Sequence, residues 1–133
     1  MAQVKLSSRV KLQMQTTALV LLAHGSRDPA TSLEMKKLVE HMTKIRPQWR
    51  ISGAFLSLAE PGLGEAVAAA VEARCRSIRI LPLFLFTGKH LKEDIPALMP
   101  GLKAKYPLIR LRLLKSIGSR TSFADFLFAS AGS

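Results

Sequence analysis

Cysteine occurs once in this chain, at Cys75, which excludes an intramolecular disulfide and a thiolate metal cage. A reducing compartment, the cytoplasm, is the expected setting. Long hydrophobic runs are also lacking. Ala18 to Ala23 and Ile80 to Phe86 are among the longest, far below the roughly 18 residues that a bilayer span requires, so no membrane partner is expected. Aromatic residues are sparse, with one Trp, one Tyr and six Phe, leaving few platforms on which bases could stack and disfavouring nucleic acid. Acids are scarce as well: nine Asp and Glu stand against 20 Lys and Arg, a formal charge of +11. That imbalance points to an anionic ligand.

The excess charge is unevenly placed. Lys5, Arg9 and Lys11 meet no acid before residue 18, and beyond residue 100 six basic residues meet only Asp125. The centre is nearly balanced, so a basic anion-binding or nucleic-acid-binding module remains an alternative to any reading built on the centre alone. With 133 residues, 48% of them apolar, the chain can build one core. Residues 1–17 are expected to be a flexible basic extension and residues 18–133 a single domain. A basic start before Ala18 to Ala23 resembles a secretory leader superficially, but the apolar run is short and His24-Gly25-Ser26-Arg27-Asp28 stands where small cleavage-site residues belong.

From Ala18 onward, short apolar runs alternate with segments of helical period, as in parallel strands buried on both faces and covered by helices. The runs are Ala18 to Ala23, Ile51 to Leu58, Ile78 to Phe86 and Leu108 to Leu114. Arg110 and Arg112 share a face of the fourth, which predicts an edge strand. The first helix should carry Leu33, Leu38, Val39, Met42 and Ile45 inward after an Asp28 cap and Pro29. The second, within Pro61 to Arg76, should bury Leu63, Val67, Ala70 and Val71, with Cys75 at its polar end between Arg74 and Arg76. A third, from His90 to Lys105, should kink or restart at Pro96 and Pro100. A short last helix is expected over Thr121 to Ala129. The fold class is therefore α/β: a small doubly wound, mainly parallel four-stranded sheet flanked by helices, in order 2-1-3-4.

Ligands of open α/β sheets bind beyond the carboxyl ends of the strands. His24 ends the first run, Glu60 follows the second and His90 follows the third. Two imidazoles and a carboxylate suit a divalent ion such as iron, cobalt, nickel or zinc. Each also has a plain reading, the histidines as hydrogen-bonded loop residues and Glu60 as an acid favoured by a helix N-terminus. Ser26 is a cap or an anion contact. Arg27, Lys89 and Lys92 flank the histidines and could grip carboxylates. His41, inside the first helix, is expected on the surface. No G-x-S-x-G elbow, Walker A loop or G-x-G-x-x-G fingerprint is present, and Ala23 stands where histidine phosphatases carry an arginine.

Three segments taken together carry more weight: His24-Gly25-Ser26-Arg27-Asp28-Pro29, Phe55-Leu56-Ser57-Leu58-Ala59-Glu60-Pro61, and Leu81-Pro82-Leu83-Phe84-Leu85-Phe86-Thr87-Gly88-Lys89-His90. Between Ala18 and Leu114 the chain resembles the small class II chelatases of the CbiX type. The resemblance implies insertion of a divalent metal into sirohydrochlorin, cobalt for cobalamin or iron for sirohaem, by a homodimer, and the absence of an ATP motif predicts a reaction without nucleotide hydrolysis. It makes His24 and His90 the metal-binding histidines, and Glu60 the acid that shares the metal or accepts a proton. No cofactor beyond the substrate metal is implied, cobalt being favoured over iron or nickel. Downstream, the family's Pro-Leu-Gly segment is replaced by Ser116-Ile117-Gly118, of which Gly118 alone matches well. That departure leaves room for a relative that holds metal without inserting it.

Overall fold

Four apolar segments meet edge to edge in the computed structural model, which describes residues 17–132. Apart from Thr17, the expected basic extension lies outside the described residues. The first strand, β1 (Thr17–Ala23), buries Ala18, Val20, Leu21 and Leu22, so it is covered on both faces and must be central. It pairs in parallel with β2 (Arg50–Phe55) on one side and β3 (Ser77–Pro82) on the other. The short β4 (Arg110–Leu113) pairs with β3. The order is β2-β1-β3-β4, as expected. Ala23 is level with Phe55, and Leu22 with Pro82, so these three strands end on a common rim.

Three expected strands were too long, the fourth shrinking from Leu108 to Leu114 to the four residues of β4. Leu56 to Leu58 and Leu83 to Phe86 lie outside the sheet because β1 has run out beside them. Its last carbonyls, on Ala23 and Leu22, accept from the amides of Leu56 (2.9 Å) and Leu83 (2.7 Å). Beyond that point Leu58 adopts φ +64°, which ends any extended run. At the far edge Arg110 and Arg112 are exposed, charged residues of the kind that keep an unpaired edge from recruiting another strand.

The first helix, α1 (Pro29–Ile45), starts as the sequence demands. Pro29 fills its first turn and the Asp28 carboxylate accepts from the Ala30 amide at 2.9 Å. Asp28→Ala should therefore cost about 1 kcal/mol, read as a lower urea midpoint at unchanged slope. Its inward face differs from expectation. Met35, Val39 and Met42 pack against Leu21 and Phe55, while Leu33, Leu38 and Ile45 are exposed. Gly53 explains the shift: a Cβ there would overlap the Met35 side chain, so the missing side chain on β2 makes the slot that Met35 fills.

The opposite face of the sheet carries the larger core. There α2 (Leu63–Glu72) buries Leu63, Ala66, Val67 and Ala70 against Val20, Leu22, Ile78 and Ile80. Cys75 lies beyond this helix rather than within it, its amide bonded to the Ala70 carbonyl after Arg74 turns the chain at φ +66°. Its side chain is 1% exposed. Burial pushes the thiol up from its ordinary range, against an opposing pull from Arg50, so packing outweighs the reactivity that flanking arginines would promote. In the native protein Cys75 should react with a disulfide reagent near neutral pH far more slowly than after denaturation; equal rates would contradict this burial.

The third helical segment is split as the prolines require, into α3 (Gly88–Ala97) and α4 (Met99–Lys105), which meet at Leu98. A single 3-10 turn at Ile117–Ser119 leads to α5 (Thr121–Ala131), two residues longer than expected. No residue of α5 is buried, and Phe126 and Phe128 are 62% and 77% exposed. No helix among the described residues is long and apolar enough to cross a membrane.

Candidate metal and tetrapyrrole site

The rim formed by the strand ends holds the three residues expected there, His24 and Glu60 on loops and His90 in the first turn of α3, each exposed. His24 follows β1 directly. Its carbonyl accepts from the Ser57 amide at 3.0 Å, tying the β1 loop to the β2 loop. Gly25 makes this possible, because it takes φ +95° and a Cβ there would overlap the Ser57 carbonyl oxygen. From the other side Phe84, itself buried, meets the His24 imidazole edge to face, with centroids 4.5 Å apart at 75°. The ring is thus oriented by an apolar contact while the residue stays exposed, an arrangement that favours a ligand over a packed core histidine.

Glu60 lies on a tight loop that folds back over the end of β2. The Phe55 amide donates to the Pro61 carbonyl at 2.9 Å, Leu58 has positive φ, and the Glu60–Pro61 peptide is cis. Gly62 occupies the cap of α2 and Glu65 is the acid in its first turn.

His90 is the third residue of α3. Leu91 and Ile95 of this helix pack toward the core, and at ~100° per residue His90 falls on one flank and Lys92 on the other. Asp94, one turn beyond His90, shares its flank. It is a carboxylate that sequence reasoning missed, although the i, i+4 spacing was the available signal. Lys92, expected beside His90, instead lines a separate pocket with Lys115. Lys89 and Arg27 are exposed near the rim, and His41 is exposed on α1. The Ser26 Oγ accepts from the Asp28 amide at 3.0 Å, so its oxygen supports the turn into α1.

The structure therefore places His24, Glu60 and His90 beyond the carboxyl ends of neighbouring strands, on the rim of the sheet. Among the described residues, no three His, Cys, Asp or Glu side chains lie close enough together to hold a metal ion between them, so the three rim residues do not form a ready-made ligand set. Imidazole and carboxylate donors facing solvent can take up an ion and leave positions for another ligand. Beneath them Gly118 donates its amide to the Phe84 carbonyl at 3.0 Å, and a Cβ on Gly118 would overlap the Leu85 carbonyl oxygen. The turn at Ile117–Ser119 thus braces the segment that holds Phe84 against His24.

Comparison with known proteins agrees with this layout. Over 89 residues the chain is 35% identical to the sirohydrochlorin cobaltochelatase of Methanopyrus kandleri, covering 67% of this chain and 62% of that protein. It is 32% identical over 105 residues to the sirohydrochlorin ferrochelatase of Bacillus subtilis, covering 76% of this chain and 39% of that one. The chain thus spans only part of the length of these relatives. Among solved structures, a CbiX protein from Marinobacter aquaeolei VT8 superposes with TM-score 0.74 at 30% identity, covering 86% of this chain and 93% of that one. The sirohydrochlorin chelatase SirB from Bacillus subtilis subspecies spizizenii, in complex with cobalt, gives TM-score 0.67 at 30% identity over 76% of this chain and 43% of its own. The family model for CbiX matches residues 18–132, and with the parallel sheet and the rim histidines in place, this chain belongs to the CbiX family.

Proposed function

We propose that the protein inserts a divalent metal ion into sirohydrochlorin, with cobalt ahead of iron or nickel as its substrate metal. The observation that carries this reading is that His24 and His90 follow the carboxyl ends of adjacent strands β1 and β3, the one on a loop and the other in the first turn of α3, in a chain similar to named cobaltochelatases and ferrochelatases. His24 and His90, as neutral imidazoles, hold the incoming ion in an incomplete shell. Glu60 completes that shell or accepts protons. Two pyrrole N–H protons leave as one M²⁺ enters, so ring charge is unchanged, and the ring nitrogens displace the protein's donors in turn. Nitrogen and oxygen donors without thiolate release such an ion more readily than a sulfur cage would. No nucleotide enters the reaction. Arg27 and Lys89, and Ser26 through its hydroxyl hydrogen, meet substrate carboxylates in this reading.

The test is anaerobic incubation with sirohydrochlorin and Co²⁺, Fe²⁺ or Ni²⁺ separately, followed by absorbance. Insertion faster than the uncatalysed reaction, fastest with cobalt, is expected. No acceleration with any ion would overturn the proposal, and tight metal binding without insertion would replace it with a metal-holding role. The cytoplasm suits a chain whose one cysteine is kept as a buried thiol.

A homodimer is part of the same proposal. An isolated helix as short as α5 is marginal in water, yet α5 turns Phe126, Leu127 and Phe128 outward with no buried residue. A second copy would cover it. Sedimentation should show two copies at micromolar concentration, and Phe126→Asp with Phe128→Asp should shift the protein toward monomer. A monomeric parent protein would contradict the dimer.

A further inference from the structure

Beyond His90, on the other flank of α3, lies an open pocket of about 220 Å³ between that helix and the carboxyl end of β4. Its floor is apolar, from Leu91, Ile95 and Leu113. Lys92 and Lys115 stand at its rim with Ser116, and neither Asp nor Glu lines it. We propose that this pocket is a carboxylate subsite, which takes an acidic arm of the tetrapyrrole while the ring nitrogens face His24 and His90. The inference rests on the chelatase reading and adds Lys115, a residue that no motif singles out.

The pocket is held in place from three sides. The Leu114 amide donates to the Ile80 carbonyl at 2.8 Å, fixing where Lys115 leaves the sheet. The Ser119 Oγ donates to the Ser116 carbonyl at 2.8 Å, closing the turn that follows, and that turn is pinned to Phe84 through Gly118. On the helix side, Ile95 is buried and anchors α3, so Lys92 projects from a supported backbone. Two lysines on separate elements then line one slot.

The lining selects among ligands. A divalent cation is refused, since lysines replace carboxylates. A small hydrated anion gains nothing from an apolar floor and would leave it wet. A carboxylate on a short hydrocarbon stem matches both features, with methylene groups against Leu91 and Leu113 and oxygens at Lys92 and Lys115. Acetate and propionate arms on a pyrrole edge have that form. The reach is also suitable: the pocket and His90 lie on opposite flanks of one helix, roughly 10 Å across, so a flat macrocycle lying over the start of α3 can present its centre to one side and its periphery to the other. This gives Lys115 a specific task within the basic C-terminal region.

The experiment separates this inference from the reading beneath it. Binding of uroporphyrin, with a carboxylate on every peripheral arm, and of coproporphyrin, with half as many, is followed by fluorescence quenching for the parent protein, Lys115→Ala, Lys115→Arg and Lys92→Ala with Lys115→Ala. Cobalt affinity and insertion kinetics are measured on the same samples. The double variant should bind uroporphyrin about tenfold more weakly, lose most of the preference over coproporphyrin, and show a raised KM for sirohydrochlorin with kcat and cobalt affinity held. Lys115→Arg should restore most of the binding. Undiminished uroporphyrin affinity in the double variant would overturn the subsite, even if insertion proceeds and the chelatase reading stands. Lysine-dependent porphyrin binding with no metal insertion would retain the subsite and sink the chelatase reading instead.

Discussion

Replacing His24 or His90 with alanine is expected to lower the rate of metal insertion by about a hundredfold or more, with both replaced giving no rate above background. Loss of an outer-shell partner alone typically costs 10–100-fold in metal affinity or activity, and loss of a direct ligand should exceed that. Both side chains are exposed, His24 on a loop and His90 in the first turn of α3, so neither substitution removes core packing and the thermal midpoint should hardly move. His24→Ala does forfeit the ring contact with Phe84, worth about 1 kcal/mol at most if it behaves as aromatic pairs usually do. Glu60→Gln should keep metal binding better than either histidine variant while slowing insertion, because an amide oxygen can still ligate but cannot take a proton near neutral pH. Insertion rates unchanged in both histidine variants would remove the proposed metal-holding roles.

The second large effect is structural and falls one residue away. Gly25→Ala should destabilise the fold by about 3 kcal/mol, near the upper range for single substitutions. At φ +95° a side chain is strained in any surroundings, and here the added Cβ would overlap the Ser57 carbonyl oxygen and come within 3.1 Å of the Phe55 Cβ. Relief requires the β1 and β2 loops to part, breaking the Ser57 amide to His24 carbonyl bond and displacing the imidazole. Activity should therefore fall along with the thermal midpoint, by roughly 10 °C for a domain of this size. Gly64→Ala is the matched control. Gly64 lies in α2, and a Cβ there meets nothing within 4 Å, so that change should be neutral or stabilising by up to about 1 kcal/mol. Equal thermal midpoints for the two variants would contradict the described clamp between the loops.

Much of this architecture was legible because β1 is almost wholly apolar, and only a central strand covered on both faces tolerates that. The capped start of α1 and the split at Leu98 were legible for a similar reason, since Asp28-Pro29 and the two prolines each act through their own backbone chemistry. Other features depend on what lies opposite, which periodicity does not encode. Leu83 to Phe86 read as strand because they are apolar, yet Phe84 serves to orient His24. Leu33, Leu38 and Ile45 fit the stripe of a helix but stay exposed, while Met35 takes the slot above Gly53.

The site divides along the same line. His24, Glu60 and His90 were legible because each falls just past a strand end, where topology alone gathers residues. Lys92 was grouped with His90 by proximity along the chain, and the turn of the helix sends the two to opposite flanks. Lys115 and Asp94 were not singled out: one acquires a partner only when β4 pairs with β3, and the other is informative only once α3 is known to begin at Gly88.

The central claim is that one cation is shared by His24 and His90, and X-ray absorption at the cobalt edge of the Co²⁺-loaded protein addresses it most directly. Scattering from two imidazoles with no sulfur in the shell is the predicted spectrum, falling to one imidazole in either single alanine variant. A shell without imidazole, or one that is the same in the parent protein and in the variant lacking both histidines, would contradict the account.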